Sequence, residues 1–377
     1  MKLRLLSLTG FILILGCKTE RIDLPVTLQS PDKKLELIFD LPDSTRHAIS
    51  FEVSYNNNPV ITSAILELTL KNQPVIKNNF RILAINQQEQ NKTWQRVWGK
   101  RKNVVDRYNE LIIELQEKRK LKRRINLIFR AYNDGLAFRY ELPIQQHIDS
   151  IILTNEKLVY GFNDNHEIWG SFWDSFNISQ EKEFIKTNIS AVKPQNILGT
   201  PLLVKPAENV WLAMMEADIT DWAASGYTAC ENYYNSIALK SSYRIDDTMV
   251  ITRTHEQRMS PWQVLMMADR PIRFIESDIL QNLNEPCKID DVSWIKPGMA
   301  AWDWWWSGGY APDVQFKPGP NTATMQYFID FAAEMGWQYQ LIDWQWYGNP
   351  FDENWEWVKT CDITSMNPDI DIPWLVE

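Results

Sequence analysis

Cysteine and histidine are both scarce in this chain of 377 residues, with four of each. No CxxC pair and no Cys/His spacing of a zinc site occurs. His47, His147, His166 and His255 stand apart from one another, fit no triad or metal spacing, and read as surface or structural side chains. Beyond Cys17 only Cys230, Cys287 and Cys361 remain, an odd number that is met most simply by three partly buried thiols. Positive charge is also short. The net charge is −9, which argues against nucleic acid as a partner. Outside the N-terminus no stretch is apolar enough to span a bilayer as a helix. Internal repeats and low-complexity segments are absent.

The chain is 45% hydrophobic, so it has the material for a globular core, and its length suits two domains. Its 18 tryptophans are an excess. Indoles stack on the apolar faces of sugar rings, and they also fill large β cores. The N-terminus reads as an export signal: a basic Met1–Arg4, an apolar Leu5–Leu15, then Gly16-Cys17. A small residue before Cys is the cleavage pattern of bacterial lipoproteins. Residues 1–17 are therefore expected to be a signal peptide, with Cys17 lipidated. The mature protein is then exported, to the periplasm or the outer membrane, and touches membrane only through that anchor.

From Leu24 to about Asp291 the pattern is of strands. Leu35–Phe39 and Ile61–Leu70 alternate, with Asn56–Pro59 as the turn before the second. Glu110–Leu115 and Arg124–Arg130 predict a hairpin around the charged Glu117–Lys120. Arg130–Tyr140 predicts two strands around Asn133-Asp134-Gly135. Pro201–Val204, Val210–Met215, Ser236–Leu239, Met249–Thr252 and Trp262–Met267 continue the series. Strands at this spacing without helices between them imply a large antiparallel sandwich. Pro271–Leu283 reads as a short helix leading into a different second half.

That second half is organised around Trp302–Trp306 and Leu341–Trp346. Met299–Trp302 is an apolar run ending at Asp303. A Gly/Pro-rich turn follows, then a helical pattern over Thr322–Met335 with Met325, Phe328, Ile329, Ala332 and Ala333 on one face. Gly336 closes it as a C′ residue does. Tyr339–Ile342 is a second buried-type strand, again ending at an acid, Asp343. Strand, helix, strand, with an acid at each strand's C-terminal end, is how a parallel (β/α)8 barrel begins, and such barrels carry their sites at that end.

Several segments, in their order and spacing, resemble glycoside hydrolase family 97, bacterial enzymes acting on α-linked glucosides and galactosides. They are Ser30-Pro31-Asp32, Trp94–Gly99, Arg107–Leu111, Asn133–Gly135 with Phe138–Tyr140, Ser260–Trp262, Leu283–Ile289, Ser293-Trp294 and Lys296-Pro297. The resemblance implies an N-terminal β-super-sandwich over 24–291 and the first two βα units of an incomplete (β/α)8 barrel over 292–377. A whole barrel takes roughly 250 residues, against 85 from Ser293 to Glu377. The chain is therefore expected to be a truncated piece, inactive alone. The two carboxyl groups a glycosidase needs would lie on later barrel strands, so no catalytic residue is expected before Glu377.

The resemblance implies substrate contacts at Asp303 and Asp343, with Trp304 and Trp346 as stacking walls for an α-linked oligosaccharide. The family holds inverting and retaining members, and for the inverting ones the resemblance also implies a Ca2+ ion held by several glutamates, one of them delivered by the N-terminal domain. The matching segment here, Ser179–Phe184, puts that carboxylate at Glu181. The alternative class is a carbohydrate-binding surface lipoprotein that uses its Trp-rich sandwich without chemistry.

Overall fold

The computed structural model describes residues 24–41, 48–146, 148, 150–244, 246–247, 249–304, 314–347 and 362–377. The export signal with Cys17, and also His47, His147, Trp305, Trp306 and Cys361, lie outside the described residues. Two compact units are present. One runs to Cys287 apart from Val97–Lys100, and the other comprises those four residues and Lys288–Glu377.

The first unit is two antiparallel layers. In one, the strands Val26–Gln29, Leu35–Asp40, Ile49–Tyr55, Asn58–Leu70 and Ile151–Gly161 pair in that order. Ser236–Ser241, Ser225–Thr228 and Ile197–Leu198 extend it. The other layer is Phe80–Gln95, Asn103–Glu117, Arg124–Tyr132, Gly135–Leu142, Trp262–Ala268, Val210–Ala217 and Leu202–Ala207. Glu167–Trp173 belongs to both layers and carries Phe184–Asn188 at its side. This is a β-sandwich with few helices.

Period-two alternation builds the core. Leu35, Leu37 and Phe39 on one strand and Leu111, Ile113 and Leu115 on another are all fully buried. Phe51, Phe129 and Phe138 meet in the middle with ring centroids 5.0–5.1 Å apart. One ion pair sits inside: Arg123 donates to both oxygens of Glu117 at 2.6 and 2.8 Å, and to the Pro74 carbonyl at 2.6 Å.

The outer face of the second layer has its own apolar cluster of Tyr108, Tyr132, Trp262, Val264 and Met266, joined by Ile279 and Leu283. Trp262 is fully buried between the guanidinium groups of Arg139 and Arg130, 4.1 and 4.8 Å from its ring. Desolvated contacts of this kind are worth about 2 kcal/mol each. The expected helix over Pro271–Leu283 is two pieces, a 3-10 turn Pro271–Glu276 and a short helix Ile279–Asn282. They are broken where Ser277 takes an extended backbone.

In the second unit Ala300–Trp302 and Tyr339–Leu341 pair in parallel, with the helix Thr322–Glu334 between them in sequence. Asn321 caps the helix by accepting the Thr324 N–H at 3.0 Å. Gly336 ends it at a φ of 68°, left-handed backbone that glycine takes without strain. Only Thr324, Met325 and Ala332 of the helix are buried. Phe328 and Ile329 are half-buried and Ala333 is exposed. A last helix, Ile372–Val376, is capped by Asp371, which accepts the Trp374 N–H at 3.2 Å.

Candidate functional site

The parallel register sets Trp302 opposite Leu341, so Asp303 and Asp343 leave the pair at the same, C-terminal edge. Asp303 is fully buried, and its Oδ1 accepts the backbone N–H of Asp343 at 3.0 Å. The second oxygen of each carboxylate is also buried and meets no donor among the described residues. A buried carboxylate oxygen without a donor is costly unless something else approaches it. Burial pushes the Asp303 carboxyl above the ordinary range, the Asp343 N–H opposes that rise, and the neighbouring Asp343 charge adds to it.

Indoles flank this edge. Trp304 is 40% exposed and lies nearly parallel to Trp302, itself 45% exposed, with centroids 6.4 Å apart and an angle of 18°. Trp346 follows one turn after Asp343. Its N–H bonds the Asp343 carbonyl at 3.1 Å, its carbonyl accepts Asn367 N–H at 2.7 Å, and its ring meets Tyr347 edge-on. The structure thus brings Asp303, Asp343, Trp304 and Trp346 to one strand edge. Trp302 is the residue the sequence reading left out. Its place inside the apolar triplet Ala300–Trp302 marked it as core, but as the last strand residue it shares the accessible stack.

Glu181 belongs to the first unit. It lies on the exposed connection between Trp173 and Phe184, where Lys182 pairs with Asp174 at 3.0 Å and the Lys182 carbonyl accepts Ser171 Oγ at 3.1 Å. Among the described residues no three His, Cys, Asp or Glu side chains converge as a metal site. Calcium takes six to eight oxygens, so the described residues do not form its shell by themselves.

Paired strand-end carboxylates, each with an oxygen that lacks a donor among the described residues, beside accessible indoles suit sugar hydroxyls and sugar faces, and the class so defined is a carbohydrate-active protein. The comparisons with known proteins specify it. The Glycosyl-hydrolase 97 N-terminal family matches residues 28–286 and Glycoside hydrolase 97 matches residues 304–377. The chain belongs to glycoside hydrolase family 97. A retaining alpha-galactosidase of Bacteroides thetaiotaomicron is 23% identical over 366 residues, 90% of this chain and 53% of that protein. A probable retaining alpha-galactosidase of Streptomyces bingchenggensis is 25% identical over 236 residues, 62% of this chain and 33% of that one. A Glycoside Hydrolase Family 97 enzyme from Pseudoalteromonas sp. strain K8, solved with acarbose, superposes with a TM-score of 0.80 at 26% identity, covering 93% of this chain and 52% of that one. The chain thus spans about half the length, or less, of the proteins it matches.

Proposed function

We propose that the chain forms the β domain and the opening barrel units of an exported hydrolase of α-linked galactosides or glucosides. The observation that carries this is the Asp303–Asp343 pair: two carboxylates at one strand edge, one bonded to the other's backbone, each with an oxygen lacking a donor among the described residues, beside the Trp302/Trp304 stack. The pair would hold sugar hydroxyls through charge-assisted hydrogen bonds, and the indoles would cover an apolar sugar face. The parallel strand–helix–strand of 300–341 is, in this reading, the start of a (β/α)8 barrel whose C-terminal face is the active face. The relatives support the substrate class, since two are named as retaining alpha-galactosidases and another was solved with acarbose and with panose. Bond cleavage needs an acid and a second carboxylate on either side of the glycosidic oxygen. Asp303 and Asp343 are placed to bind and orient, and neither is assigned that cleavage.

Calcium belongs to this reading with Glu181 as one oxygen ligand, supported by the family resemblance and by that carboxylate's exposure. Lipid anchoring at Cys17 and export belong to it on the residue pattern of the N-terminus. The test is hydrolysis of aryl α-galactosides and aryl α-glucosides by the full-length protein, with binding of the same sugars followed by calorimetry. Turnover that falls when Asp303 is altered supports the proposal. Sugar binding without any turnover would replace it with the carbohydrate-binding lipoprotein.

A further inference from the structure

The interior of the β domain holds an acid layer that the strand-end site does not use. Glu156 lies on Ile151–Gly161 of one layer and Glu216 on Val210–Ala217 of the other. Glu156 is 6% exposed, whereas Glu216 is half-buried. Tyr140, Tyr160 and Tyr227, all fully buried, stand around them with Trp222 and Ser241. Every hydrogen bond recorded to either carboxylate comes from an uncharged donor.

The two acids are held differently. Glu216 has a short bond on each oxygen, from Ser225 N–H at 2.8 Å and from Gln263 Nε2 at 2.9 Å. Each oxygen thus accepts from an N–H donor, and hydrogen bonds to a carboxylate favour its charged form. Glu156 has only long contacts, both to Oε2, from Trp222 Nε1 at 3.4 Å and Ser241 Oγ at 3.5 Å. The Tyr140 hydroxyl lies close enough to pull the Glu156 carboxyl down somewhat without forming a bond of normal geometry, and the Tyr160 hydroxyl lies in its field without a bond. A buried anion so weakly bonded is expensive, and a neutral acid is not.

We propose that folding of the β domain traps a proton on Glu156, with Glu216 as the anion of the pair, so that the domain is a pH-sensitive element that loosens as its surroundings turn alkaline. The ionisable groups facing Glu156 are Glu216 from the opposite layer, Tyr140 from Gly135–Leu142 and Tyr160 from its own strand, with Tyr227 beyond them. Burial drives all three tyrosines far above the ordinary range, so they stay neutral throughout. Burial first, and the Glu216 charge second, push the Glu156 carboxyl up to about 7. Burial also raises Glu216, against which its bonds from Ser225 and Gln263 pull down. In the unfolded chain Glu156 returns to about 4.3. Its contribution to stability is therefore complete below that value, declines as pH rises towards about 7, and is gone above it.

The experiment is urea unfolding of the full chain across the range from about pH 5 to about pH 8, for wild type and Glu156→Gln. Between those limits Glu156 alone is expected to raise the unfolding constant by roughly a hundredfold in wild type. Glu156→Gln should lose that part of the slope, and parallel profiles would overturn the proposal. Should the variant not fold, infrared spectroscopy of wild type decides. A protonated-carboxyl band present in mild acid, lost in mild alkali and retained in Asp303→Asn supports the trapped proton, and absence of the band in mild acid refutes it.

Discussion

Replacing Asp303 by Asn would separate the two things its carboxylate does. Oδ1 accepts the Asp343 N–H at 3.0 Å, and an amide oxygen can accept it equally. The other oxygen is buried without a donor, next to a second carboxylate with the same deficit. Burial already pushes the Asp303 carboxyl upward, which means that the site disfavours the charge. The Asp303→Asn change removes that charge from a buried position while keeping an acceptor for the Asp343 N–H. Folding stability should therefore stay level or rise near neutral pH. Asp303→Ala, in contrast, leaves the Asp343 N–H without its acceptor and should cost about 1–3 kcal/mol. Substrate handling should move the other way in the Asn variant. A hydrogen bond from a sugar hydroxyl to a charged acceptor is worth about 1.5–3 kcal/mol, or roughly ten- to a hundredfold in kcat/KM. The assay pairs kcat/KM on aryl α-galactoside or α-glucoside with urea unfolding, both on the full-length protein. A wild-type kcat/KM in Asp303→Asn would refute substrate binding by the carboxylate. Loss of as much stability as in Asp303→Ala would refute the account of its buried charge.

Glu117→Ala should cost about 3–5 kcal/mol in denaturant unfolding, because it strands Arg123 as a buried, uncompensated charge. Replacing both Arg123 and Glu117 by apolar residues of similar volume should cost far less, and equal costs would contradict this account. Trp304→Ala should raise KM about two- to tenfold with kcat held, by removing a sugar-stacking face; a fall in kcat at constant KM would remove Trp304 from binding. Glu181→Gln should weaken calcium binding to the full-length protein in calorimetry, and an unchanged affinity would exclude Glu181 as a ligand.

The strands legible in the sequence are those with one wet and one dry face. Leu35–Phe39 alternates because its odd positions face the core, and the strand observed is Leu35–Asp40. The hairpin of Asn103–Glu117 with Arg124–Tyr132 was readable for the same reason. Phe80–Gln95 was not, although its 16 residues make it the longest strand described. Among the described residues it pairs only with Asn103–Glu117, and its middle, Gln87–Glu89, is exposed on both faces, so no alternation marks it. A charged side chain there, Glu89, suits an edge that must not recruit another chain. Phe184–Asn188 escaped notice likewise, being largely exposed along its length. In the helix Thr322–Glu334 the period gave the element and its stop at Gly336, yet predicted more burial than Phe328, Ile329 and Ala333 show. Periodicity reports which face is apolar, whereas burial depends on what else packs there.

The same distinction explains which parts of the sites could be read. Asp303 and Asp343 were visible because each follows a short apolar run, and a charge directly after such a run marks the end of a strand, although Trp302, Tyr339 and Leu341 prove exposed. The parallel register then places two marks made 40 residues apart on one edge. Glu156 carried no such mark. Thr154–Lys157 is a polar stretch between Ile151–Leu153 and Leu158-Val159, and in sequence it reads as a loop joining two apolar pieces. The chain instead runs through as one strand, with a register irregularity opposite Thr69 and Leu70. Leu153 and Glu156 both face inward, three residues apart, which strict period-two alternation forbids. One irregular step therefore converts what looks like a solvated turn into a buried carboxyl. Acids that end a strand can be found from sequence, and acids that a bulge turns inward require the fold.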